Sequence, residues 1–162
     1  ELPIIDEEQL KDTALRDNFF ERVYIYFRWQ QLQTTGPITA AKLIKFHSQQ
    51  KYALMARGDR HYRELGRFVA TCRQQNISSS AKEYFSKLMA ILELQPSRGG
   101  HANVLHHLMG YFKRQLSQKQ KETLNQEIER FRNERCALSV PIGLIKKYLT
   151  DYPNEYLSLI HI

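Results

Sequence analysis

The chain has 162 residues, of which 42% are hydrophobic and 25% charged, a composition that supports a stable core and excludes disordered and collagen-like proteins. Its 7 glycines and 5 prolines are too few for a sandwich or barrel of many short strands. No stretch reaches the roughly 18 uncharged apolar residues that a membrane span needs. The sequence therefore predicts a mostly helical protein without membrane segments.

Basic residues are in excess, and the excess is unevenly distributed. The chain carries 24 Lys and Arg against 17 Asp and Glu, a net charge of +7. Residues 1–35 contain four basic and seven acidic residues, whereas residues 42–114 contain 13 basic and 4 acidic ones. The positive electrostatic field of such a segment favours the binding of polyanions, of which nucleic acid is the commonest. A solvated basic surface without a ligand has the same composition.

The cysteines and histidines do not form a recognisable reactive or metal-binding pattern. Cys72 and Cys136 stand singly, which fits a reducing cytoplasm and no disulfide framework. The neighbours His106 and His107 point in different directions on a helix, and there is no His-Glu-x-x-His motif or nucleotide-binding glycine loop. We therefore predict no metal site and no catalytic residue on this chain.

Apolar residues recur at helical spacing along the chain, and no segment alternates with period two for long enough to require a strand. We expect an all-α fold, a single orthogonal bundle of about six to seven helices. The predicted helices begin at Asp12 or Thr13, Thr39, Asp59, Ser80, His101, Ser117 and Ile142. The fifth is expected to run to about Leu116 and the seventh to about Thr150.

The candidate binding residues fall in three segments. In the first, His47 and Lys51 are four residues apart, so one helix face would present both to an anionic group. A surface pair without function has the same spacing. The second segment, Tyr62 to Arg67, contributes Arg63 and Arg67.

The third segment opens with Arg98-Gly99-Gly100 at a predicted helix start, where free backbone N–H groups favour anions. Asn103, His107, Gly110 and Arg114 then follow at steps of three and four, which places them on one helix face. A helix crossing that needs the small Gly110 is the alternative explanation.

Four segments of the sequence, within residues 46–56, 62–70, 98–105 and 140–149, together resemble the YbgA-like family, a bacterial domain of unknown function. The resemblance covers about residues 18–157, and its most specific part is Arg98-Gly99-x-His101-x-Asn103-Val104-Leu105. The others are Phe46-His47 to Lys51-Tyr52-x-Leu54-Met55-Ala56, Tyr62-x-x-Leu65-Gly66-x-x-Val69-Ala70 and Val140-Pro141-x-x-Leu144-Ile145-Lys146-x-Tyr148-Leu149.

The segment from Leu2 to Val23 is similar to the junction at which this domain is fused behind a TudS-type desulfidase domain. That domain holds an iron–sulfur cluster and removes sulfur from thiouracil or from thiouridine in transfer RNA. The resemblance implies that the cluster belongs to a missing N-terminal domain and that this fragment carries no cofactor. We then expect residues 1–12 to be a linker, residues 13–157 the helical domain, and residues 158–162, which depart from the family, a non-native tail.

The first hypothesis is a non-catalytic, cytoplasmic domain that binds RNA, specifically transfer RNA, for a desulfidase domain in the same polypeptide. Its proposed phosphate contacts are Lys51, Arg63, Arg67, Arg98, Lys113 and Arg114, and its more selective pocket is His47, His101, Asn103 and His107. The second hypothesis is an enzyme, or a domain that binds a small anion or a nucleotide. A deep pocket in which His47, His101 and His107 converge would favour it. A purely structural module that covers the desulfidase domain would expose an apolar patch near the first helix.

Overall fold

The computed structural model describes residues 2–72, 76–154 and 157, and all regular structure in these residues is helical. In this part of the chain, a short 3₁₀ turn, Gln9–Lys11, precedes eight α-helices, which confirms the predicted all-α class. The helices are α1 (Thr13–Thr34), α2 (Ala40–Gln49), α3 (Lys51–Ala56), α4 (Asp59–Thr71), α5 (Ile77–Leu92), α6 (Arg98–Tyr111), α7 (Gln118–Arg132) and α8 (Ser139–Asp151). None of these helices has the length and hydropathy of a membrane span. The predicted tail, residues 158–162, lies outside the described part of the chain.

Side-chain caps set most of the helix starts, because the first backbone N–H groups of a helix have no partner within it. Asp12, Thr39 and Ser117 accept hydrogen bonds from the first turns of α1, α2 and α7, as predicted. The predicted start of α5 at Ser80 is wrong. Asn76 caps that helix by accepting from the backbone N–H groups of Ser78 and Ser79.

The start and end of α6 also differ from the prediction. Ser97 accepts a hydrogen bond from the Gly100 backbone N–H at 2.9 Å, so Arg98 and the two glycines form the first turn of the helix rather than a lead-in. The helix ends at Tyr111 instead of Leu116. The basic residues Lys113 and Arg114 therefore follow the helix instead of lying on it.

Gln50 divides the predicted second helix into α2 and α3. Its side-chain Nε2 donates to the Phe46 carbonyl at 3.1 Å, the acceptor that its own backbone N–H would use in a continuous helix. That N–H bonds to the His47 carbonyl instead. Gln50 is buried, so the break is held in the interior, and it accounts for the eighth helix.

The chain forms two compact units, residues 1–96 and 97–162, called here the N-terminal and C-terminal units. The core of the N-terminal unit surrounds Trp29, whose ring stacks on Phe85 with centroids 4.6 Å apart and contacts Phe46 edge-on at 5.1 Å. Asn18 ties α1 to the end of α5, because its buried amide donates to the Leu92 carbonyl.

The C-terminal unit is built from α6, α7 and α8, which pack against one another. Leu or Ile side chains from all three helices are fully buried in it: Leu105, Leu108, Leu124, Ile128 and Ile145. The polar side chains of α7 lie on the opposite, exposed side, as expected for an amphipathic surface helix.

Candidate functional site

His47 lies in the interior of the N-terminal unit, between two tyrosines. Its ring stacks on Tyr62 from α4, with centroids 4.8 Å apart and planes 6° from parallel, and meets Tyr84 from α5 edge-on at 5.8 Å. The Nδ1 atom is 3.3 Å from the Tyr84 hydroxyl oxygen. A Cβ atom placed on Gly66 would lie 3.1 Å from Nε2 of His47, so the glycine leaves room for the imidazole.

This environment keeps the imidazole uncharged at neutral pH. Burial lowers the pKa of His47 from 6.5 to about 4, and hydrogen bonding with the Tyr62 main chain opposes part of that shift. Burial also raises the pKa of the Tyr84 hydroxyl well above its usual range, with Tyr62 as a second cause. His47 therefore adds no positive charge to the surface of the unit.

Arg63 and Arg67 are exposed on α4, and no ion pair or hydrogen bond joins either side chain to the described residues. Their spacing of four puts them on one face of the helix, next to the face on which Gly66 meets His47. Lys51 is half-buried at the start of α3, with its ammonium group 5.3 Å from the Tyr52 ring centroid. The break at Gln50 leaves His47 in α2 and Lys51 in α3, so the continuous helix on which the predicted pair depends is interrupted between them.

Other basic side chains between residues 42 and 114 already pair with carboxylates. Arg57 bonds the Glu21 carboxylate at 2.7 Å and the Leu94 carbonyl at 2.7 Å, and its side chain is fully buried. Arg60 and Lys87 form ion pairs with glutamates one helical turn away. The charge available for a ligand is thus smaller than the sequence count.

In the C-terminal unit, Arg98 is engaged with the end of α7. Its guanidinium donates to the Phe131 carbonyl at 3.0 Å, lies 5.1 Å from the Phe131 ring centroid and is 3.6 Å from the Glu134 carboxylate. His101 meets the same Phe131 ring edge-on, with centroids 6.3 Å apart. These contacts join the first turn of α6 to α7.

The predicted α6 face becomes exposed towards the end of the helix. His107 and Gly110 are exposed and Asn103 is half-buried, and a Cβ on Gly110 would meet nothing within 4 Å. The alternative of a tight helix crossing at Gly110 is therefore wrong for the described residues. Lys113 and Arg114 are exposed just beyond the helix, and neither forms an ion pair with a described carboxylate.

The ten predicted site residues are divided between the units: His47, Lys51, Arg63 and Arg67 lie in the N-terminal unit, and Arg98, His101, Asn103, His107, Lys113 and Arg114 lie in the C-terminal one. Their roles in binding stay predictions. Within the described residues, no cluster of three or more His, Cys, Asp or Glu side chains has an arrangement that could hold a metal ion.

Two features were not anticipated as sites. One is a pocket of about 310 Å³ beside Trp29. The other is a row of exposed aromatic side chains on α1, formed by Phe20, Tyr24 and Phe27, which are 56%, 38% and 56% exposed. Their spacing of four and three is visible in the sequence, but apolar residues at helical spacing are also typical of the buried face of a helix.

The comparisons with known proteins agree with the resemblance found in the sequence. A family model described as "Protein of unknown function (DUF1722)" matches residues 51–159, from the start of α3 onward. The chain is also 29% identical over 143 residues to a protein of Escherichia coli (strain K12) described as "Uncharacterized protein YbgA", a match that covers 88% of this chain and 84% of that protein. No solved structure matches. The YbgA-like resemblance is confirmed, and the chain belongs to the DUF1722 family.

Proposed function

We propose that this chain is a non-catalytic RNA-binding domain that serves a desulfidase domain of the same cytoplasmic polypeptide. The proposed ligand is transfer RNA, and the iron–sulfur chemistry belongs to the desulfidase domain. The observation that carries the RNA proposal is a set of exposed cations without a carboxylate partner among the described residues. Two adjacent pairs of this kind are Arg63 with Arg67 and Lys113 with Arg114.

The unpaired state of these cations matters because RNA binding depends on phosphate neutralisation. A Lys or Arg that already pairs with a carboxylate contributes less to a polyanion than a free one, because the pair must be broken or shared. Arg63 and Arg67 project from one helix face, which suits two phosphates of one backbone. Lys113 and Arg114 are consecutive and lie beyond the end of α6, where both are accessible.

A titration with an in-vitro transcribed transfer RNA over a range of salt concentrations tests the proposal. The logarithm of the association constant should fall linearly with the logarithm of the salt concentration, by about 0.7–0.9 for each phosphate neutralised. An RNA hairpin of matched length shows whether binding is specific for transfer RNA. Affinity that does not change with salt would overturn the proposal.

A second function is favoured by the exposed aromatic row on α1. Three neighbouring aromatic side chains on one helix face are typical of a surface that another protein covers. We propose that the desulfidase domain docks on this row. Separately expressed TudS-type desulfidase domain should bind the chain, and Phe20→Ser with Phe27→Ser should weaken that binding at least tenfold.

The matched control for the docking test is Val140→Ser, which removes another exposed apolar side chain, located in the C-terminal unit. That variant should bind the desulfidase domain as the unaltered chain does. Equal binding by the double α1 variant would contradict docking on the row and leave the RNA proposal unaffected.

A further inference from the structure

The pocket beside Trp29 has the composition of a small-molecule site. It lies in the N-terminal unit between the end of α1 and the start of α5, and its volume of about 310 Å³ is at the lower end of the range for ligand pockets, about 300–1,000 Å³. Apolar side chains of Trp29, Ile38, Ile77 and Ala81 line it. Trp29 is 3% exposed, so the indole ring is held in place by the core behind it.

The polar side chains around the pocket are available to bind a ligand. Gln33, Ser78 and Lys82 line it and are exposed, and their side chains have no hydrogen-bond or ion-pair partner among the described residues. Lys82 differs in this from Lys87 on the same helix, which pairs with Glu83 at 3.4 Å. None of the lining residues is acidic.

An apolar floor with one unpaired ammonium group selects for an amphiphilic anion. An aromatic ring fits against the half-buried side chains of Ile38 and Ile77, because removing apolar surface from water is favourable. A carboxylate on that ring satisfies Lys82 with a charge-assisted hydrogen bond, and the amide of Gln33 and the hydroxyl of Ser78 can donate to its second oxygen. The nearby start of α5 adds the positive end of a helix dipole.

We propose that this pocket binds small aromatic carboxylates, with Ile38 and Ile77 as the apolar contacts and Lys82 as the anion contact. The site contains none of the ten residues assigned to RNA, so the proposal does not depend on the proposed function. It gives the domain a small-molecule ligand in addition to a macromolecular one.

Trp29 is the only tryptophan of the chain, so its fluorescence reports directly on the pocket. The test titrates the protein with benzoate, phenylacetate and 3-phenylpropionate, each alongside its neutral amide, and confirms binding by saturation-transfer NMR of the ligand. At least one acid should shift or quench the emission saturably. It should bind about threefold or more tightly than its amide, since the ammonium–carboxylate pair is exposed to water.

Three variants test whether the change in fluorescence arises from binding in the pocket. Lys82→Ala should remove the preference for the acid, while Lys45→Ala, which removes an exposed lysine of α2 outside the pocket, should leave it unchanged. Ser78→Phe should block the pocket and abolish binding. The proposal is overturned if no acid binds, if acid and amide bind equally, or if Ser78→Phe binds as the unaltered chain does.

Discussion

At the scale of single residues, His47 shows how a polar side chain is accommodated in an apolar core. Tyr62 covers one face of its ring, Tyr84 meets it edge-on, and Gly66 leaves space at Nε2. The neutral imidazole fits this site, whereas a charged one would lose its solvation. The sequence indicated His47 as a candidate, but it could not distinguish a buried ring from a surface ligand, because the distinction depends on Tyr84, 37 residues away.

Gly66→Ala should lower the free energy of unfolding by about 1–2 kcal/mol, because the new methyl group would press on a ring that the two tyrosines prevent from moving. Gly143→Ala, in α8, is the matched control, because no other atom lies within 4 Å of the Cβ that this substitution adds. That substitution should stabilise the chain by about 0.5–1 kcal/mol through helix propensity alone. Urea unfolding followed by circular dichroism measures both, and equal effects of the two variants would contradict the packing described here.

The depressed pKa of His47 predicts a pH dependence of stability. The folded chain binds this proton only near pH 4, whereas the unfolded chain binds it near pH 6.5, so the unfolded state carries more protons between these values. Stability should therefore be fully present above pH 6.5 and fall as the pH drops towards 4, by on the order of 2–3 kcal/mol from this residue.

Unfolding in urea at several pH values, compared between the unaltered chain and His47→Gln, isolates this contribution. The variant should show a shallower loss of stability between pH 6.5 and 4, because it has no titrating group at this position. His107→Gln, an exposed histidine, should behave as the unaltered chain does. An unchanged slope in His47→Gln would contradict the assignment of a neutral, buried imidazole.

At the scale of the helices, starts that depend on local chemistry were predictable and breaks that depend on tertiary contacts were not. Ser117 begins α7 through a capping box with Gln120, in which each side chain bonds the backbone of the other residue. This pattern is readable from four consecutive residues. The break at Gln50 requires a buried side chain that bonds its own helix, and apolar spacing alone does not reveal it.

Ser117→Ala should destabilise the chain by about 1 kcal/mol, because it leaves the first turn of α7 without its side-chain acceptor. Ser79→Ala, at an exposed position within α5, removes a hydroxyl without removing a cap and should be neutral or slightly stabilising. Thermal unfolding of the two variants checks this. A melting temperature unaffected by Ser117→Ala would show that the capping box does not hold this helix end.

At the scale of the whole molecule, the sequence predicted the fold class and the excess of positive charge, but not which charges are available. Arg57 and Arg63 look alike in the sequence. Arg57 is fully buried against Glu21 and the Leu94 carbonyl, residues about 36 positions away along the chain, whereas Arg63 is exposed. Only the tertiary contacts distinguish an arginine with a structural role from one that is available to a phosphate. The proposed phosphate contacts Arg63 and Arg67 are chosen by this distinction.

The most direct test of the RNA proposal compares the salt dependence of transfer RNA binding between two double variants. Arg63→Ala with Arg67→Ala removes two unpaired cations, and Arg60→Ala with Lys87→Ala removes two that already pair with glutamates. The first should reduce the magnitude of the salt slope by about 1.4–1.8, the contribution of two phosphates, while the second should change it much less. Equal slopes in the unaltered chain and the Arg63, Arg67 variant would contradict the proposal that these exposed arginines bind RNA.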